Sequence, residues 1–432
     1  MLNVLRDELE PEIQSHGSKA GKKPLVFCDV TQSYARAGGG IRTYLHEKRA
    51  FLNEHTDHRH ILIIPGEEDC VRPHGRHLVV EVKSPRVPAS PNYRLLLRSR
   101  TVRRLFREYC PDFIECQDAY NLPWAALAFR EERPSTTLIA GYHSDFPKVY
   151  VEHHASRWLG RGIGSGMRNL SYKYAVNLYG KFDARYAVNS EISDNLSGQG
   201  AGKVFNLPFG VDLDVFHPGG RDPSLRREFG VPEDAPLLVY AGRIDGEKSA
   251  SIVYDAFRKL PRAMNAHLIM VGDGPLREVL LQQAGLEDRN LHCPGFVESR
   301  ETLARYLASA DIYVSAMAHE TFGISIIEAQ ATGLPVVGVA SGAMPQRVTK
   351  GLGLLGAVGD ADEMARNIQE VWAQPNHAFR RSQVRAHVAS RFSWQNTFEI
   401  LFKQIYQSGQ KNRLEQIWLA GDAGMHLPKA IL

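Results

Sequence analysis

Glu320 and Glu328 stand eight residues apart in the stretch SAMAHETFGISIIEAQATGLPVVGV, residues 315–339. A carboxylate on a loop can grip two neighbouring hydroxyls of a sugar, and a second one two helical turns on can grip another diol. Between them Phe322, Gly323 and Ile324 would present backbone N–H groups at a helix N-terminus, a seat for an anion or for sugar oxygens. Gly323 would let a ligand come close to the backbone. Upstream, PLLVYAGRIDGEK at 236–248 places Arg243 and Lys248 five residues apart. Two cations at that spacing can both reach a diphosphate, Arg as a fork and Lys as a point charge. The plain alternative is a set of solvated loop acids and loop cations.

The elements needed to position these groups are legible around them. Asp311–Met317 is an apolar run that reads as a buried strand. A polar turn follows, then apolar residues at Phe322, Ile324, Ile326, Ile327 and Ala331 near helical spacing. Gly333 ends that helix, and Leu334–Ala340 begins another strand. This is one strand–helix–strand unit of a parallel sheet, whose ligands bind beyond the carboxyl ends of the strands. Arg243 and Lys248 sit on the corresponding loop after a strand ending at Ala241–Gly242.

The pair of glutamates resembles the E-x7-E signature of retaining glycosyltransferases of the GT-B fold, family 4 in particular. The resemblance spans roughly residues 24–405, and further pieces fall in order. Gly242, Arg243, Glu247 and Lys248 match the GR-x-x-x-EK motif. VGDGP at 271–275 matches the family's tight turn, with Gly272 and Gly274 shaping the pocket floor. Tyr142–Pro147 resembles the HS-x-x-P element of glycolipid-type mannosyl- and sulfoquinovosyl-transferases. The resemblance implies an α/β architecture of two Rossmann-like parallel-sheet domains facing a cleft, with a C-terminal helix crossing back to the first. It implies a hexosyl transfer from a nucleoside-diphosphate sugar with retention of anomeric configuration. In that scheme the diphosphate takes the acceptor proton and no residue is the nucleophile. Catalytic roles pass to Glu320, His143, Arg243 and Lys248. Donor contacts pass to Gly39, Gly40, Gly242, Phe296, Val297, Phe322, Gly323, Ile324 and Glu328, and an acceptor contact to Asp145. Gly38 is the alternative register for the glycine pair. The sequence departs from the family at Ser341 and Gln346, where Gly-Gly and Glu are usual.

No cofactor is expected and no metal. Asp212-Leu-Asp214 is formally a DxD, but it lies in the inter-domain passage, and Asp360-Ala-Asp362 is no better placed. Other readings in view are a nucleotide-sugar epimerase or phosphorylase of the same fold, and a catalytically silent scaffold subunit. The scaffold reading predicts erosion of Arg243, Lys248 or Glu320, and all three are present.

Domains are expected at 23–207 and 208–387, with helices at about 388–410 returning to the first, a flexible lead-in at 1–22 and a tail at 411–432. Ser190 is the expected N-cap of the helix that follows the strand at 183–190. Residues 83–93 read as an irregular loop. Val149–Phe182 reads as helical with a glycine-rich break at Gly160–Gly166, a flexible loop rather than a phosphate loop, since no strand precedes it and the P-loop lysine is lacking. It lies in a basic, partly apolar segment with Trp158 and Leu159, suited to a lipid or an anionic glycan. Arg94–Arg107 holds six arginines and no acid. It reads as a basic amphipathic helix, for which the alternatives are an anionic membrane surface and a solvated face.

Composition is that of a globular protein: 432 residues, 43% hydrophobic, 23% charged, net charge +4. That charge gives no reason to expect nucleic acid. No apolar run reaches transmembrane length, and the N-terminus lacks the apolar core of a signal peptide. Five scattered cysteines form neither a disulfide framework nor a zinc spacing. A cytoplasmic protein, peripheral at the inner membrane face, is the expectation, with a lipid, lipid-linked or glycan acceptor.

Overall fold

A computed structural model describes residues 23–34, 39–87, 90–152, 155–156, 159–285, 290–374 and 377–419. The lead-in 1–22, Gly38, Trp158 and the last part of the tail lie outside the described residues. The chain divides into two compact units, the first built from the residues up to Pro208 together with Thr397–Leu432, the second from Phe209–Asn396. The return to the first unit thus falls at Thr397 rather than near residue 388.

Among the described residues of the first unit there are ten strands: β1 (Val26–Val30), β2 (Arg59–Gly66), β3 (Cys70–His74), β4 (His77–Lys83), β5 (Arg86–Val87), β6 (Ser90–Arg94), β7 (Phe113–Cys116), β8 (Thr137–Tyr142), β9 (Ala184–Ala187) and β10 (Phe205–Asn206). Eight of them form a sheet in the order β10-β9-β8-β7-β1-β2-β4-β3. Every pair is parallel except the edge pair β3–β4. The central strands are mostly apolar, as strands covered on both faces must be, with Asp29 of β1, His60 of β2 and Glu115 of β7 as buried exceptions. Strand order reverses between β1 and β7, so the ends of these two strands frame the place where such a sheet takes a ligand.

The second unit is a six-stranded parallel sheet of β11 (Leu237–Ala241), β12 (His267–Val271), β13 (Leu291–Gly295), β14 (Ile312–Val314), β15 (Val336–Val339) and β16 (Gly353–Gly356). Its order, β13-β12-β11-β14-β15-β16, is the doubly wound dinucleotide-fold order. The reversal falls between β11 and β14, the strands whose loops carry Arg243, Lys248 and Glu320. The expected two parallel-sheet α/β domains are therefore present.

Four local expectations are corrected. Residues 83–93 contain the small antiparallel pair β5–β6. Gly160–Gly166 is not a loop: the helix Arg161–Tyr179 runs through its glycines. Gly164 is there because a Cβ would stand 2.0 Å from Ser156 Oγ. The N-cap before the helix Ser190–Leu196 is Asn189, whose Oδ1 accepts from Ile192 N at 2.8 Å. The start of the supposed tail is helix, Gln407–Leu419, docked on the first unit by Asn412 to Asp183 O and Arg413 to Pro134 O.

Candidate active site

In the second unit β11 runs buried to Ala241, and its exit loop is shaped by contact with the next loop. A Cβ on Gly272 would stand 1.9 Å from Gly242 O, and one on Gly274 2.4 Å from Ile244 O. Only hydrogen fits at either place, which lets the two loops lie flat on each other. Asp245 then organises the loop's cations. Its Oδ1 accepts from Lys248 N at 2.9 Å and its Oδ2 from Arg243 Nη1 at 2.5 Å. The other arm of Arg243 reaches Glu247 Oε2 at 2.6 Å. The fork expected to meet a diphosphate is thus engaged by two acids of its own loop.

Lys248 crosses to the neighbouring loop, where Nζ lies 3.1 Å from Glu320 Oε2. Glu320 turns its other oxygen onto Gly323 N, also at 3.1 Å. This corrects the expected row of outward N–H groups at Phe322, Gly323 and Ile324: that of Gly323 is already used. Gly323 is the left-handed cap (φ 85°) before the helix Ile324–Ala331. A Cβ there would also stand 2.6 Å from Ile326 Cδ1. The loop is braced from behind. Ala343 N donates to Glu320 O at 2.7 Å, and Arg347 Nε donates to Phe322 O at 2.9 Å with its guanidinium over the Phe322 ring. Phe322 is accordingly buried.

Glu328 is not a solvated helix residue. It is 3% exposed, and its Oε1 receives Arg300 Nη1 at 2.8 Å. Burial raises its carboxyl above the usual range, against the pull of Arg300. Arg300, which also lies over the Phe216 ring, was not anticipated. Phe296 and Val297 follow β13, Phe296 being 45% exposed. Asp212 accepts from Asp214 N and Val215 N, and Asp360 caps the helix Ala361–Ala373 through Glu363 N, so both DxD segments use an aspartate to hold their own turn.

His143 lies in the first unit beyond the end of β8, buried, with Nε2 bonded to Gln117 Oε1 and 3.3 Å from Tyr186 OH. Burial depresses its pKa to about 3, so the imidazole is neutral. It caps a polar cluster that sequence reasoning missed. Lys48 Nζ donates to Asp29 Oδ2 at 2.7 Å, to Glu115 Oε2 at 2.8 Å and to Tyr406 OH at 2.9 Å. Gln117 Nε2 bonds Asp29 and Glu115, while Tyr44 and Tyr186 donate to Glu115 Oε1. Burial alone would raise the Asp29 carboxyl, but Lys48 and His60 outweigh it and hold it at about 2. The signal was available: Lys48 falls between Tyr44, Leu45, Phe51 and Leu52 on the apolar face of the helix Gly40–His55.

Asp145 accepts from Tyr172 OH at 2.7 Å and Tyr142 OH at 3.3 Å, and burial raises its carboxyl. Gly39 caps the helix Gly40–His55, its carbonyl accepting from Thr43 N at 3.1 Å. Of the six arginines at 94–107, Arg94 and Arg98 pair with Glu67 and Asp69, and Arg103 and Arg107 with Glu132. The helix there is Ser99–Tyr109, shorter than expected. The structure thus brings Arg243, Lys248, Glu320 and Gly323 onto adjacent loops of the second unit, with Glu328 on the helix Ile324–Ala331 that follows, while His143, Asp145, Gly39 and Gly40 belong to the first.

Two family models match the chain: that described as Glycosyltransferase Family 4 over residues 38–215, and that described as Glycosyl transferases group 1 over residues 222–385. The GDP-mannose-dependent alpha-(1-6)-phosphatidylinositol dimannoside mannosyltransferase of Mycobacterium tuberculosis is 28% identical over 378 residues, covering 85% of this chain and 92% of that one. The sulfoquinovosyl transferase of Arabidopsis thaliana is 29% identical over 260 residues, 58% of this chain and 47% of that one. Among solved structures, sucrose-phosphate synthase from Thermosynechococcus elongatus superposes with a TM-score of 0.68 at 19% identity, over 92% of this chain and 100% of that one.

Proposed function

The chain belongs to the family 4, group 1 glycosyltransferases of GT-B fold, and on that premise we propose that it moves a hexosyl group from a nucleoside-diphosphate sugar to a lipid, lipid-linked or glycan acceptor. GDP-mannose is the first donor to test and UDP-hexoses the second. The mannosyltransferase of M. tuberculosis that matches nearly end to end is by its name GDP-mannose-dependent and acts on a phosphatidylinositol dimannoside.

The observation that carries this reading is the Lys248–Glu320 contact at the reversal point of the second sheet. A donor placed there meets a cation for its departing diphosphate and a carboxylate for its hexose hydroxyls. Positive charge held where negative charge develops lowers the barrier, because it is in place before the reaction. Arg243 joins Lys248 when the phosphates displace Asp245 and Glu247. Gly242 and Gly323 leave room for the diphosphate against the backbone, beside Phe322 and Ile324, and a donor-binding role is proposed also for Gly39 and Gly40 at the start of the helix Gly40–His55 in the first unit. Glu328 takes the ribose diol, with Phe296 and Val297 against the base. The one N–H of the neutral His143 ring goes to Gln117 Oε1, so toward the sugar His143 accepts from a hydroxyl at Nδ1 rather than donating, and Asp145 serves the acceptor. The anomeric configuration is retained, the diphosphate takes the acceptor proton, and the two cations stand in for a divalent ion. The enzyme works as a peripheral protein; among the described residues no helix is long and apolar enough to cross a membrane.

The test is nucleotide release from GDP-mannose, UDP-glucose, UDP-galactose and UDP-N-acetylglucosamine with mixed lipids as acceptor, with and without a chelator. Release from one donor, insensitive to the chelator and lost in Lys248→Ala and Glu320→Ala, is expected. Release that survives both substitutions would overturn the assigned site. An inverted anomeric signal in the product would overturn retention.

A further inference from the structure

The helix Arg161–Tyr179 buries one face, Gly164, Tyr172, Ala175, Leu178 and Tyr179, in the first unit. Its other face is apolar and open to water. Ile163, Met167, Leu170 and Tyr174 recur at spacings of four, three and four, one side of a helix. They are 54%, 43%, 69% and 39% exposed, and Trp124, 47% exposed, adjoins them through Nε1 to Tyr174 OH at 3.1 Å. Isolated exposed apolar residues need no explanation, but a stripe of them marks an interaction surface.

Charge says what covers it. Residues 159–181 hold four cations, Arg161, Arg168, Lys173 and Lys181, and no acid. Arg168 pairs with Glu152, while Arg161, Lys173 and Lys181 are exposed. The arginine-rich stretch 94–107 is the reverse case: four of its six cations are paired with acids brought in from elsewhere. A second copy docked about a twofold axis would bring the same cations face to face. An apolar stripe bearing an aromatic pair and flanked by uncompensated cations matches the headgroup zone of an anionic bilayer.

We propose that the exposed face of the helix Arg161–Tyr179 is the membrane contact of this protein, with Ile163, Met167 and Leu170 entering the acyl boundary, Trp124 and Tyr174 at headgroup level, and Arg161, Lys173 and Lys181 on the phosphates. The contact deepens the reading of a lipid-borne acceptor, yet it is tested by binding alone.

The experiment is flotation of the full chain with phosphatidylcholine vesicles, with and without phosphatidylglycerol. The wild type binds the anionic vesicles only. Ile163→Ser/Leu170→Ser weakens that binding by at least about tenfold, because two apolar side chains no longer leave water. Arg161→Glu/Lys173→Glu abolishes it, and Arg100→Glu/Arg104→Glu leaves most of it. These positions are exposed, so melting temperatures stay at the wild-type value. Failure of the wild type to bind, equal binding by the serine variant, or loss with the Arg100/Arg104 variant alone would each overturn the proposal. So would vesicle binding that persists while the serine variant abolishes self-association, which assigns the stripe to a second copy. Binding as stated without sugar transfer to any lipid leaves the surface standing and removes the lipid acceptor.

Discussion

With its ammonium bonded to Asp29 and Glu115 and wholly out of water, Lys48 neutralises two carboxylates that have no solvent to turn to. Lys48→Met fills similar space but strands both, and breaking such a buried pair costs about 3–5 kcal/mol. Urea unfolding should report that loss. Asp29 fixes the sign of the pH dependence. Its folded pKa lies below the ordinary carboxylate value, so its stabilisation is present above that value and fades as pH falls towards 2. Without Lys48 the Asp29 carboxyl rises, and the variant should begin to lose stability at distinctly milder acidity than the wild type. Glu328 has the opposite sign, since burial holds its folded pKa high and its ionised form is a cost that grows with pH. Arg300 limits that cost. Arg300→Met should therefore lose stability as pH rises through the raised Glu328 value, and Arg300→Met/Glu328→Gln should regain it. In activity, Glu328→Gln should raise the donor KM about tenfold with little change in kcat, one charge-assisted hydrogen bond being worth about that much. At this scale Glu320, Lys248 and Arg243 were legible because their spacing forms a motif. Their present partners were not: Arg243 held by Asp245 and Glu247, and Glu328 by Arg300, follow from which loops are brought together.

Elements were legible where burial speaks through pattern and misread where glycine speaks for itself. The strands β1, β8, β11, β12 and β15 are short apolar runs ending in turn residues, and the sequence places each within a few positions. Only the first turns of the helix Arg161–Tyr179 were misread, as a break in a helical segment, because glycine has low helix propensity, which tertiary packing overrode. Its glycines are not equivalent. A Cβ on Gly164 would collide with Ser156, whereas nothing lies within 4 Å of one on Gly162 or Gly166. Gly166→Ala should thus stabilise by roughly 0.5–1 kcal/mol, since alanine loses less backbone entropy. Gly164→Ala should destabilise, and thermal unfolding of the pair separates the two cases. In the second unit, Gly272→Ala would drive a Cβ against Gly242 O, 1.9 Å away. It should cost about 1–3 kcal/mol, the usual range for overpacking. It should also weaken nucleoside-diphosphate binding by moving the loop that carries Arg243 and Lys248, a coupling that Gly166→Ala will not show.

The division into two units was legible from two successive runs of alternating strand and helix signals, and the family resemblance placed the return of the chain at about 388–410, where the structure has it at Thr397. The segment after Thr397 carries no chemical motif, and its role lies in three aromatic residues, Phe398, Phe402 and Tyr406, that recur every fourth position on one side of its helix. Phe398 lies against Tyr44 and Phe51, Phe402 against Phe27, and Tyr406 donates to Glu115 from within the buried polar cluster. Gly409 lets the following helix settle on β8 and β9, where a Cβ would stand 2.7 Å from Ile139 Cδ1 and 3.2 Å from Ala184 Cβ. The first unit is therefore discontinuous in sequence and incomplete without its last strand of chain, whereas the second is continuous from Phe209 to Asn396. These facts give the two units opposite fates when separated. Residues 209–396 expressed alone should unfold cooperatively and bind a nucleoside diphosphate within about tenfold of the whole protein, because the cations and carboxylates assigned to the donor all lie there. Residues 1–208 alone should stay unfolded, with Lys48, Asp29 and Glu115 lacking their Tyr406 partner and the Phe27 ring exposed, and should fold when 397–432 is supplied on the same chain through a flexible linker. Calorimetry on the three fragments decides it. Cooperative melting of 1–208 by itself would show that the returning segment decorates the first unit rather than completing it, and loss of nucleotide binding by 209–396 would show that the glycine loop at Gly39–Gly40 supplies a main part of the donor's binding energy.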